Sequence, residues 1–91
     1  MYSKRTIIIN ETGLHARPAS DFIQEAKKYV SKVTIANLDT PEEAPVNAKS
    51  IVMVLSLGMG QGTHVEVSAS GEDEQLAVNN LISLIDSGFG E

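Results

Sequence analysis

Thr63-His64-Val65-Glu66-Val67-Ser68-Ala69-Ser70 alternates cleanly, with Val65, Val67 and Ala69 on one side and His64, Glu66 and Ser68 on the other. Side chains alternate across a strand, so this stretch reads as a strand with one face buried and one face in water. A sheet of such strands needs cover on one side only, and the neighbouring segments supply helices for it. Downstream, Glu72, Asp73 and Glu74 load acid into a first turn, where the helix dipole favours it. Leu76, Ala77, Leu81, Leu84 and Ile85 form the expected buried stripe of that helix, and Gly88 ends it.

Upstream, Ser50-Ile51-Val52-Met53-Val54-Leu55-Ser56-Leu57 is ambiguous, because its β-branched residues also suit a strand. Ser50 can cap a helix start, and Gly58 stands where a helix C-terminus favours glycine, so a short helix is expected. If Val54 and Leu57 pack on the sheet, Ile51, Val52 and Leu55 share a more exposed face. An apolar stripe of that kind is either core or a docking surface. Val46 to Ala48 is a brief strand, and Asp39 to Pro45, with two prolines and three acids, is a loop. Val33 and Ile35 mark a strand. Ala19, Phe22, Ile23, Ala26 and Val30 recur at helical spacing, giving an amphipathic helix from Ala16 to about Tyr29. Thr6 to Asn10 is the first strand, closed by the turn signal Glu11-Thr12-Gly13. The order is βαββαβα, packed as one sheet with helices on one face.

The composition narrows the function. Ninety-one residues suit one domain spanning 1–91, and a chain this short buries only about 60–65% of its unfolded surface. There is no cysteine, hence no disulfide and no thiolate metal site; an intracellular home fits, and a cysteine-free secreted domain is also allowed. Three isoleucines after MYSKRT are too few for a signal-peptide core or a membrane span. Seven basic and twelve acidic residues leave a net charge of −5, which argues against nucleic-acid binding. His64, on the outward face of its strand, is the only histidine besides His15, so no metal site is expected.

Gly13-Leu14-His15-Ala16-Arg17-Pro18-Ala19 carries the chemistry. His15 ends a turn and opens a helix, whose first N–H groups lack helical partners and attract anions. Arg17 adds a permanent cation with planar donors suited to phosphate oxygens. Pro18 costs little in a first turn, although it pushes Arg17 away from helical geometry. These parts suit phosphoryl transfer, which needs positioning and charge stabilisation above all. The residues alone leave a second reading open, an exposed histidine with a capping role.

Together with Asn47-Ala48-Lys49-Ser50-Ile51 and Ser56-Leu57-Gly58, this segment resembles the HPr family. Those proteins are the histidine-containing phosphocarriers of the bacterial phosphoenolpyruvate-dependent sugar phosphotransferase system. The resemblance covers nearly the whole chain, including the Ser68-Ala69-Ser70-Gly71 step into the last helix. It implies an α+β open-faced β-sandwich, with a four-stranded antiparallel sheet covered on one side by helices. It also implies that His15 is phosphorylated by enzyme I and that Arg17 orients the phosphate. Ser50 matches the serine modified by the ATP-dependent HPr kinase/phosphorylase. Ile51, Val52 and Leu55 fall on the helix that helps to dock partners.

The implied partners are enzyme I, enzyme IIA domains, that kinase and a transcriptional regulator. No cofactor, metal, nucleic acid or membrane insertion is implied. The expected protein is a cytoplasmic monomer and a phosphohistidine carrier rather than an independent enzyme. The alternative is a regulatory paralogue acting mainly as a phosphorylation-dependent binding module. Two departures stand out: Met53, where the family commonly has glycine, and a longer loop from Asp39 to Pro45.

Overall fold

A computed structural model describes residues 1–91. The elements, in chain order, are β1 (Tyr2–Ile7), α1 (Ala16–Ala26), β2 (Lys32–Asn37), β3 (Val46–Asn47), α2 (Ile51–Ser56), β4 (His64–Ser70) and α3 (Glu74–Asp86), followed by a short 3-10 turn, Gly88–Gly90. The four strands form one antiparallel sheet in the order β1-β4-β2-β3. As expected, the fold is an α+β open-faced sandwich with the order βαββαβα.

The alternation along β4 places Val65, Val67 and Ala69 in the core, while His64 and Ser70 face outward. Val33 and Ile35 of β2 pair opposite Ala69 and Val67 and extend the same buried surface. Phe22, Ile23 and Ala26 of α1 close over it, with Val54 of α2 and Leu81 and Ile85 of α3.

The first strand lies earlier than expected, at Tyr2–Ile7 rather than Thr6 to Asn10. Its sheet positions facing α3 are Tyr2, Lys4 and Thr6, which have no apolar signature. Two of them contact α3 through polar groups: the Tyr2 hydroxyl donates to Asn79 Oδ1 at 3.1 Å, and the Thr6 hydroxyl donates to Asp86. Of the three isoleucines, Ile8 alone is buried, whereas Ile7 and Ile9 are exposed.

Because α3 leans over β1, its buried stripe is rotated from the expected one. Val78 and Ile82 are buried with Ala77, Leu81 and Ile85, whereas Leu76 is 58% exposed and Leu84 only half-buried. Helix α1 stops at Ala26, short of Tyr29. Tyr29 folds back over the helix end, its hydroxyl donating to Glu25 and accepting from Asn80, and Val30 is thrown out to 75% exposure. Gly88, with φ of +68°, follows the last turn of α3 in the left-handed conformation expected there.

Asp73 does more than place charge at a helix start. Its carboxylate accepts from the backbone N–H groups of Val30 and Ser31, both at 3.0 Å, and from the Ser31 hydroxyl, tying α3 to the start of β2. The Ser31 hydroxyl is the main cause holding this carboxyl below the usual carboxylate range; desolvation opposes it, and the backbone N–H groups of Val30 and Ser31 add to the lowering. A lowered folded value means that the stabilisation is complete above the unfolded value and is lost as pH falls through the folded one. Melting temperature should therefore fall from about pH 4 downward. The acid slope should flatten in Asp73→Asn, a comparison that thermal scans from pH 2 to 7 would settle.

Candidate functional site

His15 stands at the seam between the Glu11–Gly13 turn and α1. It is exposed, extended (φ −129°, ψ 162°) and forms no side-chain cap on the helix. On either side of it the chain is anchored. Leu14 is fully buried and its N–H donates to the Met59 carbonyl at 2.9 Å, while Pro18 and Ala19 are buried beyond it. An exposed ring is thus carried on a backbone fixed at both ends.

Gly13 makes that anchoring possible. Its φ is +68°, and a Cβ there would lie 2.5 Å from Gly60 Cα and 2.5 Å from the Met59 carbonyl oxygen. Met59 itself is fully buried. Nothing in the spacing of Gly58-Met59-Gly60-Gln61-Gly62 had assigned that segment a supporting role. The available signal was one large apolar residue isolated among glycines.

The first hydrogen bond of α1 runs from Ala19 to the His15 carbonyl, at 3.5 Å. The N–H groups of Ala16 and Arg17 precede it and, at a helix start, have no intrahelical acceptor. The departure from helical geometry falls on Ala16, whose φ is +47°. A left-handed alanine costs on the order of 1 kcal/mol or more, and such strain is held only where neighbours fix the backbone. Arg17 is exposed, and none of the chain's ion pairs involves it, so its guanidinium is free for an incoming anion.

Ser50 caps α2, its hydroxyl accepting from the Met53 N–H at 3.3 Å. Val54 and Leu57 are buried, leaving Ile51 at 39%, Val52 at 71% and Leu55 at 40% exposure. A shallow groove of about 380 Å³ separates α1 from α2. Ala16, Ser20, Gln24 and Lys27 line it on one side, and Ile51 and Leu55 on the other. Ala16 connects this groove with the His15 segment. Val52 projects clear of it, and Met53 adds apolar exposure that the sequence reading did not include.

The largest surface depression, about 560 Å³, lies elsewhere, among Arg5, Ile7, Leu38, Asp39 and His64. It includes no residue of the His15 segment. There Asp39 accepts from the backbone N–H of His64 and pairs with its Nδ1, both at 3.0 Å. The His64 N–H is the main cause holding the Asp39 carboxyl below the usual range.

The chain is similar to known proteins along nearly its whole length. Residues 2–87 match the family model described as the PTS HPr component phosphorylation site. The chain is 45% identical over 85 residues to the phosphocarrier protein HPr of Haemophilus influenzae, covering 93% of this chain and 95% of that one. It is 41% identical over 85 residues to a multiphosphoryl transfer protein of the same organism, of which it spans only 17%. The crystal structure of HPr-C-His from Thermoanaerobacter tengcongensis superposes with a TM-score of 0.92 at 45% identity, covering 100% of this chain and 98% of that one.

Proposed function

The chain belongs to the HPr phosphocarrier family, and from that membership we propose that His15 accepts a phosphoryl group from phospho-enzyme I and donates it to enzyme IIA domains. A ring nitrogen of His15 forms the new bond to phosphorus as the bond to the donor breaks, and the reverse occurs on delivery. The observation that carries this reading is an exposed histidine on a doubly anchored backbone, with the unpaired Arg17 guanidinium two residues on. Arg17 and the free N–H groups at the helix start meet the phosphoryl charge. No helix is long and apolar enough to cross a membrane, which is compatible with a cytoplasmic carrier. The test is incubation with enzyme I and phosphoenolpyruvate: one acid-labile, alkali-stable label per chain is expected. Absence of label would favour a regulatory paralogue.

The groove beside Ala16, with Ile51 and Leu55, is part of the docking surface in this reading, and the exposed Val52 extends its apolar contacts beyond the groove. Leu55→Glu should weaken binding to enzyme I at least tenfold, because a charge enters an apolar contact. At 40% exposure its effect on melting temperature should be small, and calorimetry would check that.

Regulation is proposed at Ser50, through an HPr kinase/phosphorylase. Phosphoserine adds about −1.5 to −2 charges at a helix start, which tolerates them, so the fold should persist. The charge would border Ile51 and Val52 and penalise apolar docking, while a transcriptional regulator with a basic pocket would bind better. His15 labelling by enzyme I should be slower in Ser50-phosphorylated protein than in unmodified protein. Equal initial rates would leave Ser50 a simple cap.

A further inference from the structure

We infer that Asn10 is a positioning residue for phosphoryl transfer, its side-chain amide gripping the turn that presents His15. The inference rests on His15 being the acceptor. Asn10 is only 5% exposed. Its Nδ2 donates to the Gly13 carbonyl at 2.9 Å and lies 3.2 Å from both Thr12 Oγ1 and Glu91 Oε1. The backbone of the same residue completes the grip, since the Gly13 N–H donates to the Asn10 carbonyl at 3.1 Å. Residue 10 therefore holds residue 13 by main chain and side chain together, two positions before His15. The opposite side of Gly13 rests against the backbone of Met59 and Gly60, so the amide closes the clamp on the turn.

The amide is not there simply to fill space. Asn10 Oδ1 is buried with no hydrogen-bond partner, and a buried acceptor without a donor lowers stability. What the side chain contributes is its N–H donors, directed at the Gly13 carbonyl and at Thr12 and Glu91. His15 makes no side-chain cap, so the backbone leading into it determines where the ring stands. Small displacements of a nucleophile lower the rate of the chemical step. Ile51 and Leu55 sit on a separate helix, so the apolar docking contacts lie away from the amide.

The test measures initial rates of transfer from phospho-enzyme I against the concentration of this protein, for wild type, Asn10→Ala and Asn10→Asp, below every variant's melting transition. Asn10→Ala should lower kcat about tenfold or more with KM within about twofold. Asn10→Asp keeps the shape but not the donors, and faces the Glu91 carboxylate. It should be slow at pH 7 and recover toward wild type as pH falls to 5, because a protonated carboxyl can again donate to the Gly13 carbonyl. The alanine variant has no such recovery. If Asn10→Ala does not fold, Asn10→Leu, which keeps the volume but no donor, replaces it under the same kcat criterion. Wild-type kcat in the folded variants, or a deficit confined to KM, would overturn the inference. An unlabelled wild type would instead refute the proposed function.

Discussion

Replacing His15 with alanine should abolish labelling by enzyme I and phosphoenolpyruvate while leaving the fold intact. The ring is exposed and caps nothing, so its loss should change stability by no more than about 0.5 kcal/mol. His64, the remaining histidine, is engaged with Asp39 and shares no surface depression with the His15 segment. The measurement is phosphoryl incorporation by mass spectrometry at neutral pH, with melting temperature as the control for folding. Full labelling of His15→Ala would sink the assignment. Arg17→Ala should still be labelled but roughly 10–100-fold more slowly, since the proposed role gives the phosphoryl oxygens a permanent cation two residues from His15 and the substitution removes it. An unchanged rate would mean that the helix start alone stabilises the transferred group.

The second large effect should come from a single methyl group. In Gly13→Ala the new Cβ meets the backbone of Gly60 and Met59 at 2.5 Å, where no flexible side chain can move aside. The left-handed φ adds its own penalty. Together these should cost about 2–4 kcal/mol, equivalent to a fall of roughly 10–25 °C in melting temperature for a domain of this size. Gly58→Ala is the matched control. Its φ is +59° but nothing lies within 4 Å of the added carbon, so only the conformational penalty of about 1 kcal/mol applies. Similar losses in the two variants would show that the Met59–Gly60 contact does not hold the turn. Transfer by any folded Gly13→Ala protein should also be slowed, because relief of the clash must move the segment that carries His15.

Local patterns were sufficient for much of this protein. The alternation of Thr63 to Ser70, the 3.6-residue recurrence of Ala19, Phe22, Ile23 and Ala26, and the Ser50 and Gly58 caps record the side-chain period or terminal chemistry of their own elements. The candidate acceptor was legible for the same reason, because a turn, a histidine, an arginine and a helix start are adjacent in sequence. What adjacency could not supply was decided by tertiary packing. β1 presents Tyr2, Lys4 and Thr6 to its helix, residues whose polar ends give no strand period. With that strand displaced, the flank of α3 that it covers was assigned wrongly as well. Leu76 and Leu84 fit a stripe with Leu81 as well as Val78 and Ile82 do, and only the position of β1 beneath the helix selects the second pair. The left-handed Ala16, the Leu14 bond to Met59 and the fit of Gly13 against Gly60 join segments more than forty residues apart or follow from that joining. The sequence by itself singled out His15 as the candidate acceptor, whereas only the folded chain decided how firmly that residue is held, because that depends on contacts between segments that no local period encodes.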